Sequence, residues 1–204
     1  MKKSLFLLFA LSLFLMSFQC DDEVEGTIVQ NNFKATVSNA SLTLNDTLWI
    51  NGRLSSQAFD EAIGDSIPYA FSNGDFFSVF RLKSADNEGN SMDAVNNFEV
   101  INEGGIISEP GVCPNSGLSI EGTLSDDSSE YVYRIGLKPT MEGDYVLNWN
   151  FAETTITNTD RNTEILTNYP VDGNPNTIEF NTCGIISVLP NIETSDRLYF
   201  FSVE

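Results

Sequence analysis

Catalysis begins with side chains that move protons, bind metals or attack bonds, and the 204-residue chain is short of them. It has no histidine. That removes the usual general base, the Ser-His and Cys-His nucleophile arrangements and the commonest metal ligand together. No phosphate-cradling glycine loop of the Walker or Rossmann kind occurs. What remains is carboxylate chemistry, because a glycosidase needs only two acids at the correct separation. With 29 Asp and Glu residues, some pair always looks suitable, so the observation carries little information. Glu121, Glu130 and Glu142 flank expected strands and read as exposed turn residues. No catalytic residue is assigned, and a small glycan-active enzyme ranks third among the functions considered.

The same acids raise the question of calcium. Asp126, Asp127 and Glu130 form one cluster; Asp86, Glu88 and Asn90 form another. Neither matches the twelve-residue calcium loop, with its glycine at position six and closing Glu. Asn158, Asp160, Asn162 and Glu164 alternate oxygen ligands, but Thr163 stands where that glycine belongs. Solvated loops are the expectation, with no cofactor and no metal; a bound calcium ion is held open as the alternative.

The elements that must position any site are short strands. Phe33, Ala35 and Val37 alternate with Lys34 and Thr36, the period of a half-buried strand. Thr47 to Leu54 is a second strand, with Asn51-Gly52 either a hairpin turn or a bend within it. Apolar residues on both of its faces imply either cover on both sides or an outward Trp49. Gln57 to Ile63 is expected to form a helical turn ended by Gly64. Pro68–Phe71 and Phe76–Leu82 flank Asn73-Gly74 as a hairpin, and Ser84 to Ser91 reads as a polar loop. Met92 to Asn97 suggests a second helical turn before a strand over Phe98–Ile101. The clearest pattern is Tyr131–Leu137 and Tyr145–Trp149, each with one aromatic-rich face. Across Glu142-Gly143-Asp144 they read as an antiparallel hairpin on a core. Ile178–Phe180 and Leu198–Val203 add strands. Many short strands between Gly, Asn and Asp turns point to an all-β fold: a single antiparallel β-sandwich, Ig-like or jelly-roll, with few short helical turns. The alternation puts Tyr131, Tyr133, Tyr145 and Trp149 on core faces. Trp49, Tyr69 and Tyr169 lie beside turns or on ambiguous faces, and are the candidates for stacking on a ligand's sugar rings.

At the start of the chain stand Lys2 and Lys3, the apolar run Leu5 to Met16, then Cys20 followed by Asp21, Asp22 and Glu23. A positive start, a short apolar middle and a processing site make a secretory signal. Leu5–Phe18 is too short to span a membrane. With a cysteine at the processing site, the segment resembles a bacterial lipoprotein signal, although Ser17 and Gln19 depart from the usual Leu and small residue. The acids after Cys20 resemble the surface-export signal of Bacteroidota lipoproteins. The resemblance implies cleavage before Cys20, lipid on its thiol, and a protein held in the outer membrane facing the exterior. Domain organisation follows: residues 1–19 as signal peptide, 20–32 as a lipidated acidic tether, and 33–204 as the β-sandwich. Asp46-Thr47-Leu48 and Asp65-Ser66-Ile67 resemble the O-glycosylation motif of the same phylum, with Ser66 the better candidate and Thr47 the second.

Residues 20–204 hold eight basic and 29 acidic side chains, a net −21. Nucleic acid is therefore not an expected partner, and the acyl anchor, not charge, has to supply membrane attachment. Outside the cytoplasm, Cys113 and Cys183 are most simply a disulfide. The leading function is a non-catalytic binding module, either for a glycan or as accessory subunit to an outer-membrane protein. The second is a structural envelope or adhesion protein working through protein contacts.

Overall fold

The computed structural model describes residues 26–38, 41–69, 74–108, 111, 113–149, 151–158, 163–189, 192 and 195–204. Cys20 and the acids Asp21, Asp22 and Glu23 lie outside the described residues.

Apolar alternation is what builds the two main sheets. In one, β4 (Leu48–Ser55) is flanked by β2 (Lys34–Val37) and β13 (Glu130–Pro139); β12 (Thr123–Leu124), β15 (Thr155–Ile156) and β9 (Phe98–Gly104) complete six strands. In the other, the long β7 (Gly74–Asp86) lies between β8 (Gly89–Asp93) and β14 (Gly143–Asn148). Beyond β14 come β18 (Leu198–Val203) and β3 (Ser41–Leu42); beyond β8 come β16 (Ile178–Thr182) and β17 (Ile185–Leu189). β11 (Gly117–Glu121) joins the first half of β7 and carries β10 (Ile106–Ser108) outside it. A small third sheet pairs β1 (Ile28–Val29), β5 (Gln57–Asp60) and β6 (Asp65–Pro68). Pairing is antiparallel except for the short contacts β15 with β2, β16 with β8 and β18 with β3. The fold is an all-β sandwich.

The central strands of the nine-stranded sheet, β7, β14 and β18, are buried on both faces. Phe77 and Val79 of β7, with Tyr145, Leu147 and Phe201, meet Ile50, Tyr133, Ile135 and Leu137 of the six-stranded sheet in the main core. Phe80 and Leu82, one residue out of phase, join Val146, Phe180 and Phe200 in a second core. Ile165 and Leu166, on the 3₁₀ turn Thr163–Asn168, cover it with Ile192. This two-sided burial is why β7, β14 and β18 read as near-continuous apolar runs.

Several sequence-based expectations are corrected. Tyr131–Leu137 and Tyr145–Trp149 are not a hairpin: β13 pairs with β4 and β9, β14 with β7 and β18. The intervening turn crosses from one sheet to the other, so the two aromatic faces meet across the core. Of the two readings of Asn51-Gly52 the turn is the one overturned: β4 is a single strand running through it, and a Cβ on Gly52 would fall 2.0 Å from the Tyr133 ring. Gln57 to Ile63 is not a helical turn. Gln57–Asp60 is strand β5, and only the turn closed by Gly64 (φ 66°) fits the expectation. Pro68 belongs to β6, which pairs with β5; Phe71 and Asn73 of the expected hairpin lie outside the described residues. The polar loop Ser84–Ser91 is the β7–β8 hairpin. Met92–Asn97 yields one 3₁₀ turn, Val95–Asn97. Ile28–Val29, within the segment read as tether, pair with β5.

Cys113 and Cys183 form a disulfide with their Cα atoms 6.0 Å apart. It ties the tight turn between β16 and β17 to the segment ahead of β11. Cys183 and Gly184 both have positive φ, as a two-residue hairpin turn requires.

Candidate ligand-binding site

The most constrained polar group in the sandwich is Asp75, the second residue of β7 and 1% exposed. Its carboxylate accepts hydrogen bonds from the Tyr133 hydroxyl (2.5 Å), the Thr154 hydroxyl (2.6 Å), the Trp149 indole N–H (3.3 Å) and the Phe76 amide (2.7 Å). A buried carboxylate is tolerated only with such a full set of donors. The contacts join the two sheets and the segment after β14. Burial, and next the Asp75 charge, push the Tyr133 phenol well above its ordinary pKa, so the hydroxyl stays a donor.

Asp75 helps line a polar hollow of about 330 Å³ at one end of the sandwich. Gln30, Asn31 and Asn32 supply amides, Ser119 and Thr154 hydroxyls, and Phe76 and Phe151 the aromatic rings. Asn31 and Asn32 also line a second hollow of about 520 Å³, walled by Thr36, Thr155 and Thr157. There the Thr36 and Thr157 hydroxyls lie 2.6 Å apart, and Arg53 stands 3.8 Å from Glu130. The two hollows form a groove of amides and hydroxyls.

On the other side of Phe76 and Phe151 is an apolar hollow of about 370 Å³, lined also by Phe180, Ile185 and the disulfide. Phe151 is 60% exposed, and its ring meets Phe76 and Phe180 edge-on at 6.5 and 6.3 Å. Its ring therefore stands between the polar and the apolar hollow.

The expected stacking residues lie elsewhere and are not gathered. Trp49 does point outward, half-buried, but the Arg134 guanidinium covers its ring at 4.1 Å. Arg134 is itself held by Glu103 (2.6 Å) and Asn51 (2.8 Å). The Tyr169 ring packs on the second core, and its hydroxyl donates to Asp144 (2.8 Å). Burial and the hydrogen bond to Asp144 push that phenol up to about 12. Tyr69 comes nearest the groove: its hydroxyl accepts from Gln30 (3.1 Å), which lines the polar hollow.

The acidic clusters are occupied by the fold. Ser129 and Ser125 donate to Asp127, which holds its carboxyl at about 2. Asp86 pairs with Lys83 (2.5 Å) and caps the Glu88 amide. Asn90 is fully buried, bonding Tyr169, Thr177 and Glu179 main-chain groups and so seating β16. Asn158 continues the sheet, accepting from the Val37 amide (2.9 Å) and donating to its carbonyl. Asp160 and Asn162 lie outside the described residues. Among the described residues, no three acidic, cysteine or histidine side chains gather to hold a metal. Glu142 is in an exposed turn, Glu121 is half-buried at the end of β11, and Ser66 is exposed on β6 while Thr47 is half-buried.

Asp75, Phe76 and Phe151 were not singled out by the sequence reading. The signal for Asp75 was its phase: it shares the core face with Phe77 and Val79. The chain matches no protein-family model, no curated protein and no solved structure.

Proposed function

We propose that this chain is a surface-facing outer-membrane lipoprotein, anchored through Cys20, whose β-sandwich is a non-catalytic module for binding a neutral glycan. The observation that carries the binding reading is the pair of hollows that share Asn31 and Asn32, one holding the exposed Phe151 ring and the other the Thr36, Thr155 and Thr157 hydroxyls. Neutral sugars present hydroxyls that need such donors and acceptors, and C–H faces that suit an aromatic ring. The net −21 over residues 20–204 disfavours polyanionic ligands. The anchor reading rests on the Cys20 segment. Ser66, exposed in its Asp-Ser-Ile tripeptide, is the candidate for an O-linked glycan.

Binding is tested with the full chain in detergent against an array of neutral polysaccharides. A ligand at 100 times its Kd raises stability by about 2.7 kcal/mol. Phe151→Ala and Asn32→Ala should each weaken a bound glycan about tenfold or more, while Trp49→Ala leaves binding unchanged. No stabilisation by any glycan removes the reading. Anchoring is tested separately: Cys20→Ser should abolish incorporation of labelled palmitate.

A further inference from the structure

Edge strands invite pairing with other chains, and folded proteins blunt them with brevity, charge or proline. The described edges here follow that rule, with one exception. β1, β3, β12 and β15 are two residues long and the uncharged β10 only three, β9 carries Glu99 and Glu103, and β6 begins at Asp65 and ends at Pro68. β17 does not: among the described residues it pairs only with β16. It runs Ile185-Ile186-Ser187-Val188-Leu189, and Ile185, Ile186 and Val188 are 69%, 56% and 55% exposed. From Phe180 to Leu189 there is no charged residue, in a chain of net charge −19.

We propose that β17 is a self-pairing edge at which a second copy of this chain adds antiparallel to it, giving a two-fold dimer. The sequence of the strand argues for this occupant. It is nearly symmetric about Ser187, two apolar residues on each side. Antiparallel pairing centred there sets Ser187 opposite Ser187 of the second copy, Ile186 opposite Val188, and Ile185 opposite Leu189. An isologous contact demands this kind of self-complementarity. The uncharged stretch also lets two strongly acidic molecules approach with reduced repulsion.

The apolar hollow supports the same arrangement. It opens beside Ile185 and Ser187, on the face these residues share with Phe180. A two-fold axis normal to the sheet places the second copy's hollow on that same face. The two then join into one apolar trough across the axis. A five-residue ladder buries little beside a standard interface of about 800 Å² per partner, so the dimer is weak, and trapping suits it better than dilution methods.

The test is disulfide trapping in the full chain. Ser187→Cys puts two thiols opposite one another at the axis, within the ~5.5 Å Cα separation a disulfide spans. Thr123→Cys, exposed on the short edge β12, is the control. The expected result is a reducible species of twice the chain mass with Ser187→Cys and not with Thr123→Cys. Adding Ile186→Lys and Val188→Lys should lower its yield at least about tenfold without moving the melting temperature, since both side chains are exposed. Equal trapping at the two positions, no trapping at Ser187, a product of another mass, or indifference to the lysines overturns the proposal.

Discussion

Asp75 shows how one side chain can set the stability of this sandwich. Removing its carboxylate strands the Tyr133, Thr154 and Trp149 donors in a dry interior, a loss of about 3 kcal/mol. Asp75→Ala should therefore lower the melting temperature by roughly 6–12 °C, since each kcal/mol is worth about 2–4 °C in a domain of this size. Calorimetry reads it directly. The tyrosines give a second prediction. Burial raises Tyr133, Tyr145 and Tyr169 above their ordinary 10.0. Between pH 10 and about 12 the unfolded chain binds fewer protons than the native one, so stability falls as pH rises through that window. Below pH 10 this contribution is fully present. Urea midpoints at pH 8 and 11 should differ, and Tyr169→Phe should narrow the difference. Neither prediction was visible in composition. Asp75 fell between the expected Asn73-Gly74 turn and the strand from Phe76 and was given no role, although its spacing to Phe77 put it on a core face.

For the elements, alternation proved a good guide to faces and a poor one to partners. Tyr133, Ile135, Leu137, Tyr145, Leu147 and Trp149 all point into the main core, as the period of two implies. Which strands lie beside them was not legible, because an apolar face carries no label for its neighbour. A hairpin and a sheet-to-sheet crossover have the same local pattern and turn chemistry. Likewise β17 escaped notice, a short apolar run between Gly184 and Pro190 that fits buried strand and exposed edge alike. Gly52 yields an element-scale prediction. Gly52→Val must displace the Tyr133 ring that donates to Asp75, and overpacking of this kind costs about 1–3 kcal/mol or more. The expected outcome is a lower denaturation midpoint in urea.

At the scale of the whole molecule, one covalent link closes the fold. The disulfide spans 70 residues and, in the chain-entropy picture, contributes about 4 kcal/mol. Cys113→Ser with Cys183→Ser should lower the denaturation midpoint accordingly, with its effect first at β16 and β17 in hydrogen exchange. The β-class and the core faces were legible from alternation, and the disulfide from an even cysteine pair in a chain read as lying outside the cytoplasm. The groove was not, since Gln30, Asn31 and Asn32 come from one end of the chain and Thr154, Thr155 and Thr157 from the other.

That same joining of distant segments governs when the protein can fold. β2 is flanked by β15, and Leu42 of β3 waits for Val203 of β18. Local contacts alone cannot complete either sheet, which places the chain among slow, late-folding topologies. Until residues 198–203 are in place, β14 lacks one neighbour and both cores lack a wall. The sandwich therefore cannot close before the strand at 198–203 has joined it.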